Sequence, residues 1–278
     1  MRLILRFIDV FLFTSLFTSC CAIALCMATE QLINSYTSPL FSQLHILVLG
    51  STLLVYNTPR VVKDPLGFKN RSLPYTAWSH VFFTAGAAMT IAGLYSLPLR
   101  LQVLCLCTGI FAFAYFLPLL PFTSKRHIRD HGWLKITVLT AVWTTATAIL
   151  PILYWNKPLG GYPFELLLRT VFIFCLCVIF DIRDMQNDHD NNIHTLPNKV
   201  GLKNSYKVIH CGLVLFTLLG FMQYLHYHDA GRLAGTLIAA AATTAVTHYL
   251  RKKPSDRAYA ALADGVMLLY SFIVILLS

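Results

Sequence analysis

The sequence predicts an all-α protein: a single domain over residues 1–278, built as a multi-pass bundle of nine transmembrane helices. Three observations support this prediction: the composition, the spacing of the apolar segments and the placement of the basic residues. Hydrophobic residues make up 56% of the chain and charged residues only 12%, whereas soluble domains carry about 25% charged residues. A chain with so few charges must be solvated by lipid over most of its length.

Nine apolar segments follow one another along the chain, each near the length of about 20 residues that crosses a hydrocarbon core. They are residues 8–28, 41–56, 76–97, 99–121, 134–154, 164–182, 206–225, 232–249 and 258–277. The first segment, with its basic start, could also be a signal peptide. We interpret it as the first helix, because the apolar run continues past Cys20 to Met27 without a clear cleavage site.

The basic residues indicate the topology, because cytoplasmic loops of membrane proteins are rich in lysine and arginine. If nine helices alternate in direction, 18 of the 22 basic residues fall on one side and three on the other. The remaining one, Arg169, lies near the start of the sixth segment, where its side chain can extend outward to the interface. The net charge of +10 is therefore explained by topology, and we expect no nucleic-acid partner. We expect a protein of the bacterial cytoplasmic membrane, with its N-terminus in the cytoplasm and its C-terminus outside.

The second and fourth segments both end in polar, proline-containing sequences on the predicted cytoplasmic side. Pro59 limits how the second helix continues, and the prolines after Phe116 end the fourth. The polar residues at these ends are Asn57, Arg60, Lys63 and Asp64 after the second segment, and Lys125 and Arg126 after the fourth. Taken alone, such residues are typical of positive-inside loops.

The sixth segment leads into the most acidic part of the chain, F-D-I-R-D-M-Q-N-D-H-D from Phe180. If the helix continues a turn or two past Phe180, then Asp181, Asp184 and Asp188 lie on one helical face, at i, i+3 and i+7. Carboxylates so close together favour a bound cation. Hard oxygen ligands suit Mg²⁺, which typically binds a few carboxylates together with substrate phosphates. The pattern predicts a site for magnesium diphosphate.

Other residues accompany these aspartates: Thr195-Leu196-Pro197, then Gly201, and a K-I-T-x-L-x-x-V-W-x-x-x-T-x-x-L-P run that begins at Lys135. Together with the nine segments and the D-x-x-D-x-x-x-D spacing, they are similar to the UbiA superfamily of intramembrane prenyltransferases. The similarity covers nearly the whole chain. Asn192 stands where many members have glycine, which is a mild change because asparagine tolerates left-handed backbone.

The chain departs from that family in the first acidic motif. Members usually have N-D-x-x-D-x-x-x-D after the second helix, and here residues 56–64, Y-N-T-P-R-V-V-K-D, occupy that place. If Asn57 is the family asparagine, all three aspartates are missing. If Asn57 replaces the first aspartate, then Asn57, Arg60 and Asp64 reproduce the spacing of the later aspartates. In either register one metal site is damaged.

The resemblance implies an enzyme that transfers a prenyl group from a prenyl diphosphate to a hydrophobic, aromatic or lipid-like acceptor, with Mg²⁺ as cofactor. In that interpretation Asp181, Asp184 and Asp188 bind the metal and take part in catalysis, together with Lys125. The predicted diphosphate-binding residues are Asn57, Arg60, Lys63, Asp64, Lys125 and Arg126. Because arginine and lysine neutralise phosphate oxygens directly, the basic members of this set compensate for the missing aspartates in our hypothesis.

Other functions remain open from the sequence. Loss of the first motif is also expected of a non-catalytic relative that binds a polyprenyl lipid or scaffolds other membrane proteins. A small transporter would place acids within the membrane, and Asp264, about a third of the way into the last segment, is such an acid. The acidic stretch could also be only a solvated helix end. A diphosphate site is favoured, because acids at a membrane edge are few and usually functional.

Overall fold

A computed structural model of the chain describes residues 2–34, 41–63, 75–117 and 132–278. Within these ranges the chain is helical and contains no strand, which confirms the predicted fold class. The helices are α1 (Arg2–Phe13), α2 (Leu16–Asn34), α3 (Gln43–Lys63), α4 (Tyr75–Tyr95), α5 (Leu99–Phe116), α6 (Gly132–Thr144), α7 (Leu150–Tyr154), α8 (Pro163–Asp190), α9 (Leu196–Val200), α10 (Leu202–Tyr227), α11 (Ala230–Lys252), α12 (Asp256–Ala258) and α13 (Asp264–Leu277). Two π-helical turns, Thr145–Ile149 and Tyr259–Ala263, join α6 to α7 and α12 to α13.

Seven helical stretches in the described residues are long and apolar enough to cross a membrane. They are Leu16–Ile33, Leu99–Phe116, Gly132–Tyr154, Pro163–Asp190, Leu202–Tyr227, Ala230–Lys252 and Asp256–Leu277. Each overlaps a predicted segment. The helices α3 and α4, of 21 residues each, overlap the second and third predicted segments but are not among these seven. The protein is therefore an integral membrane protein, and the predicted number of nine spans is not confirmed.

The first two predicted segments have different boundaries in the structure. The first is divided at Thr14 and Ser15, where Ser15 has a φ of +62° and α1 ends before α2 begins. The second continues as α3 past Pro59 to Lys63. Proline at this position removes one helical hydrogen bond without ending the helix, and the extra turn brings Arg60 into the helical part of the chain.

The helices α3 and α4 approach each other closely through glycines. A Cβ atom on Gly50 would lie 2.6 Å from the Cβ of Met89, and one on Gly86 would lie 2.7 Å from the amide nitrogen of Leu54. Small residues of this kind let the backbones of membrane helices pack directly against each other. The contact fixes the position of α3, which carries Tyr56, Asn57 and Arg60.

A cluster of polar and charged side chains is buried near the start of α8, and we call it the Glu165 network. Its members are Thr29, Glu165, Arg169, Gln223 and Arg232, and each is at most 1% exposed. Arg169 donates to Glu165 Oε1 at 2.7 Å, while Gln223 and Arg232 donate to Oε2 at 3.0 and 3.2 Å. The expectation that Arg169 extends outward is therefore wrong. Its acid partner lies four residues earlier on the same helix and holds it inside the bundle.

Candidate functional site

The aspartates of the acidic stretch lie on one face of α8, as predicted, because that helix continues to Asp190. They converge on the side chain of Lys135. Its Nζ lies 2.9 Å from Asp181 Oδ1, 2.8 Å from Asp188 Oδ2 and 4.0 Å from Asp184 Oδ2. The carboxylates of Asp181 and Asp188 are almost fully buried, whereas that of Asp184 is 33% exposed. We call these four residues the cavity cluster.

Lys135 is the residue of this cluster that was not predicted to belong to the site, although it begins the K-I-T run that resembles the UbiA superfamily. It lies in the first turn of α6 and is 7% exposed. A lysine that begins an apolar span is either at the lipid interface or paired with an acid. The aspartates lie about 50 residues later in the sequence, so no helical spacing indicated that they pair with Lys135.

The segment after α8 folds back against the helix end and holds the acidic face in place. Asn192 has a φ of +55°, which confirms that asparagine replaces glycine here in left-handed backbone. The amide of Ile193 donates to the carbonyl of Asp188 at 2.8 Å, and the Asn198 side chain donates to the carbonyls of Met185 and Ile193 at 3.2 Å.

The Thr195-Leu196-Pro197 sequence starts the short helix α9, with proline in its first turn, where the missing N–H is not needed. Gly201 separates α9 from α10 with a φ of +79°, a conformation that glycine adopts without a steric penalty. These residues shape the chain around the aspartates and contribute no reactive group.

Asn57 and Arg60 of α3 form a hydrogen-bonded pair on the other side of the site. Asn57 is fully buried, and its side-chain nitrogen donates to the carbonyls of Thr14 and Leu53 at 2.9 and 2.8 Å. Its oxygen accepts a hydrogen bond from Arg60 at 3.1 Å. Asn57 is held behind the wall of the site and directs Arg60 toward it.

The remaining predicted site residues lie at the edge of the described part of the chain or beyond it. Lys63 ends α3, and its side chain is outside the described residues, as are Asp64, Lys125 and Arg126. Their predicted roles stay predictions.

A cavity of about 840 Å³ connects the cavity cluster with α3, and we call it the polar cavity. Its charged lining residues in the described part of the chain are Arg60, Lys135, Arg183, Asp181, Asp184, Asp188, Asp256 and Asp264. The structure thus brings Arg60 to the same cavity as the three predicted aspartates. Arg183 holds Asp184 through two hydrogen bonds, of 2.7 and 3.1 Å.

Asp264, the acid within a predicted span on which the transporter alternative depends, also lies on the wall of the polar cavity. It follows the π-helical turn Tyr259–Ala263 and accepts a hydrogen bond of 2.7 Å from the buried Thr18. Turns of this type are rare and often occur at functional sites. The acid therefore belongs to the same cavity as the cavity cluster.

Solved structures provide the comparison for this arrangement, since no protein-family model and no curated protein sequence matches the chain. A UbiA homologue from Archaeoglobus fulgidus bound to GPP and Mg²⁺ superposes with a TM-score of 0.61 at 11% identity, covering 96% of this chain and 99% of that one. The chain has the UbiA fold. The predicted resemblance is confirmed at the level of the fold.

Two further structures share the UbiA fold with this chain. A digeranylgeranylglyceryl phosphate synthase structure has a TM-score of 0.60 at 13% identity and covers 98% of this chain and 99% of its own. The same Archaeoglobus fulgidus homologue bound to Cd²⁺ has a TM-score of 0.59 at 12% identity, with coverage of 96% and 99%. The fold is shared over essentially whole chains.

The donor chemistry of the polar cavity fits a divalent cation. Asp181 Oδ2 is buried and has no hydrogen-bond partner, and the described lining carries five aspartates against three basic residues. Such a lining repels a diphosphate unless a cation accompanies it. In the described part of the chain, however, no group of three His, Cys, Asp or Glu side chains is arranged to hold a metal ion by itself. Lys135 supplies a positive charge at the point where the three aspartates converge.

An aromatic group forms the wall of the polar cavity between α3 and α5. Tyr56, Tyr115 and Phe116 all line the cavity. The rings of Tyr56 and Phe116 meet edge to face with their centroids 5.8 Å apart, and those of Tyr115 and Phe116 with theirs 4.7 Å apart. Aromatic faces attract a nearby cation through the ring quadrupole. The cavity therefore combines groups suited to an anion with groups suited to a carbocation.

Proposed function

We propose that the chain is a membrane prenyltransferase of the UbiA superfamily. It transfers a prenyl group from a prenyl diphosphate to a hydrophobic acceptor and depends on Mg²⁺. The observation that carries the proposal is the lining of the polar cavity. Its wall combines a charged set, Lys135, Arg60 and the three aspartates of α8, with a set of aromatic side chains. The charged residues suit the diphosphate head of a prenyl donor, and the aromatic side chains suit its allylic group.

The basic residues of the cavity bind the diphosphate head in this proposal. Arg60 offers a planar guanidinium group, which donates two parallel hydrogen bonds to phosphate oxygens, and Lys135 offers a point charge. Arg60 stands in a segment where the family usually has aspartates that bind metal. A guanidinium there contacts the phosphate directly and replaces a metal-mediated contact.

The reaction proceeds by cleavage of the bond between the allylic carbon and the diphosphate oxygen. The electron pair leaves with pyrophosphate, whose growing negative charge is stabilised by Arg60 and Lys135. The allylic cation that remains lies beside Tyr115 and Phe116, which stabilise it and exclude water. The nucleophilic atom of the acceptor then forms a bond to the allylic carbon, and the acceptor transfers a proton to an oxygen of the released pyrophosphate.

Mg²⁺ would be held by Asp181, Asp184 and Asp188 together with phosphate oxygens, and it would add charge neutralisation at the leaving group. The unpaired Asp181 Oδ2 and the excess of acids in the cavity support this assignment. The pairing of Arg183 with Asp184 orients that carboxylate.

We place the cavity at the cytoplasmic face of the bacterial cytoplasmic membrane, in a bundle of nine spans with the N-terminus in the cytoplasm. The support is the distribution of basic residues along the chain and the proximity of α3, α6 and α8 at the polar cavity. A labelling experiment with engineered cysteines at the two termini tests this orientation.

The test of the proposed activity is pyrophosphate release by the purified protein. The protein, in lipid nanodiscs, is given geranyl, farnesyl and geranylgeranyl diphosphate with Mg²⁺, in the presence of a total lipid extract as a source of acceptors. We expect release that stops when Mg²⁺ is chelated and that falls at least about 100-fold when Asp184→Asn and Arg60→Ala are combined.

The matched controls make the same two types of substitution, Asp→Asn and Arg→Ala, at residues outside the cavity. Asp190→Asn lies on the same helix at an exposed position, and Arg257→Ala removes an exposed arginine that pairs with Asp9. Both should retain wild-type turnover. Unaltered turnover in the combined variant would refute the proposal, and binding of prenyl diphosphate without any release would identify a non-catalytic lipid-binding protein instead.

A further inference from the structure

A second cavity adjoins the polar cavity, and we call it the apolar cavity. It has a volume of about 430 Å³, and its wall consists mainly of apolar and small side chains from α2 to α7, among them Leu47, Leu94, Leu104 and Phe113. Tyr56 lines both cavities. A chain that leaves the polar cavity past Tyr56 therefore enters an apolar space between helices.

The π-helical turn Thr145–Ile149 forms part of the apolar cavity. Thr145, Ala146 and Thr147 all belong to its wall. A π-helical turn carries one extra residue, which widens the helix locally and is often retained for a functional reason. At this position the widened turn faces the space beyond Tyr56.

Tyr56 is fixed at the junction of the two cavities by Trp143. The indole N–H of Trp143 donates to the Tyr56 hydroxyl at 2.9 Å. Their rings meet edge to face with centroids 6.4 Å apart, and the Phe116 ring meets the Tyr56 ring in the same way with centroids 5.8 Å apart. Because both polar groups are partly or fully buried, they satisfy each other and hold the two rings across the passage.

We propose that the pair formed by Tyr56 and Trp143 sets the length of the prenyl tail that the protein accepts. This inference rests on the proposed function, which places the diphosphate head beside Arg60 and Lys135. A short tail ends within the polar cavity, against Leu12, Leu139 and Phe180 on its wall. A longer tail reaches Tyr56 and enters the apolar cavity only when the pair opens.

Opening the pair is unfavourable for two physical reasons. It leaves a buried hydroxyl and a buried indole N–H without their hydrogen bond, and it removes the edge-to-face contact of the rings. A long tail gains contact with the apolar cavity in return. Removal of the Tyr56 ring should therefore favour long tails selectively, without a change in the groups that bind the head.

The experiment compares pyrophosphate release from geranyl and geranylgeranyl diphosphate. The measured quantity is the ratio of kcat/KM for the long donor to that for the short one. Tyr56→Ala should raise this ratio about tenfold, the size of discrimination that a hydrophobic pocket commonly gives. In the Tyr56→Ala background, Gly109→Trp should abolish the gain, because Gly109 lines the apolar cavity and a Cβ there meets nothing within 4 Å.

An unchanged ratio in Tyr56→Ala overturns the inference. The control is Tyr249→Ala, at an exposed tyrosine outside both cavities, which should have the same ratio as the wild type. If Tyr56→Ala does not fold, Trp143→Phe removes the hydrogen-bond donor and part of the ring but keeps an aromatic side chain, and it should raise the ratio about fivefold. If the wild-type protein releases no pyrophosphate, the proposed function fails. The inference is then tested separately by the ratio of the equilibrium binding affinities for the long and the short diphosphate.

Discussion

The helix α8 carries two charged clusters, and their difference separates structure from function in this protein. Glu165 begins the Glu165 network and Asp181 begins the cavity cluster, sixteen positions later, which is about 24 Å along a helix axis. Both clusters pair acids of α8 with a basic side chain from another helix, Arg232 in the first and Lys135 in the second. The members of the Glu165 network are at most 1% exposed and none of them lines the polar cavity.

The cavity cluster, by contrast, opens onto the polar cavity. Asp184 is 33% exposed. The unpaired Oδ2 of Asp181 belongs to a residue that lines the cavity, whereas the unpaired Arg169 Nε and Gln223 Oε1 belong to residues that do not. A charged group inside a membrane protein is therefore not by itself evidence for a functional site. The deciding observation is whether the charged residue lines a cavity or is enclosed by other helices.

The largest effect that we expect is on folding, from Glu165→Ala. This change leaves Arg169 and Arg232 buried without their shared acid partner, which should lower the free energy of unfolding by about 3–5 kcal/mol. Thermal or denaturant unfolding in detergent measures it, with the exposed Asp190→Asn as control. A fully stable Glu165→Ala protein that no longer binds prenyl diphosphate would show that the Glu165 network belongs to the site.

The next effect is on turnover, from Arg60→Ala. Loss of one donor to the leaving group should lower kcat/KM for pyrophosphate release by about 100-fold, with stability close to that of the wild type. Arg60→Lys should recover part of the loss, because it restores the charge without the planar donors. Equal activity of Arg60→Ala and Arg257→Ala would remove Arg60 from the site.

Asn57→Ala should have a smaller effect that depends on Arg60. Asn57 positions Arg60 through a hydrogen bond, so its loss should lower kcat/KM about tenfold, roughly the effect of one hydrogen bond to a charged group. The decisive measurement is the double variant. Asn57→Ala combined with Arg60→Ala should be no slower than Arg60→Ala alone, whereas additive losses would show that Asn57 contacts the substrate itself.

The smallest effect is expected from Asp264→Asn. Asparagine preserves the hydrogen bond from Thr18 and removes one charge from the cavity wall, which should change pyrophosphate release by about fivefold or less. Transport of an ion or lipid across vesicles that stops in this variant while pyrophosphate release persists would favour the transporter interpretation.

The features that the sequence predicted well depend on local periodicity. The extension of α8 and the common face of Asp181, Asp184 and Asp188 follow from helical geometry. The left-handed backbone at Asn192 follows from the tolerance of asparagine for that conformation. Each of these predictions needed only residues within one or two helical turns.

The features that the sequence did not predict depend on contacts between helices. Lys135 reaches Asp188 across 53 positions of sequence, and the two cavities meet at Tyr56 because α3 packs beside α5 and α6. Arg169 was assigned to the interface although Glu165, four residues earlier, was a signal for an ion pair on the same helix face. In this membrane span, an acid four residues before the arginine predicts that the arginine is buried. That signal was stronger than the position of Arg169 near the helix end, which had suggested exposure.

The most direct test of the account is the turnover of Lys135→Met. Lys135 forms ion pairs with both buried aspartates of the cavity cluster, and methionine preserves much of its length. The measurement is pyrophosphate release from geranyl diphosphate per folded molecule, with the exposed Lys203→Met on α10 as control. We predict a folded protein whose release falls by about 100-fold or more. Release within a few-fold of the wild-type rate would contradict the assignment of the polar cavity as the active site.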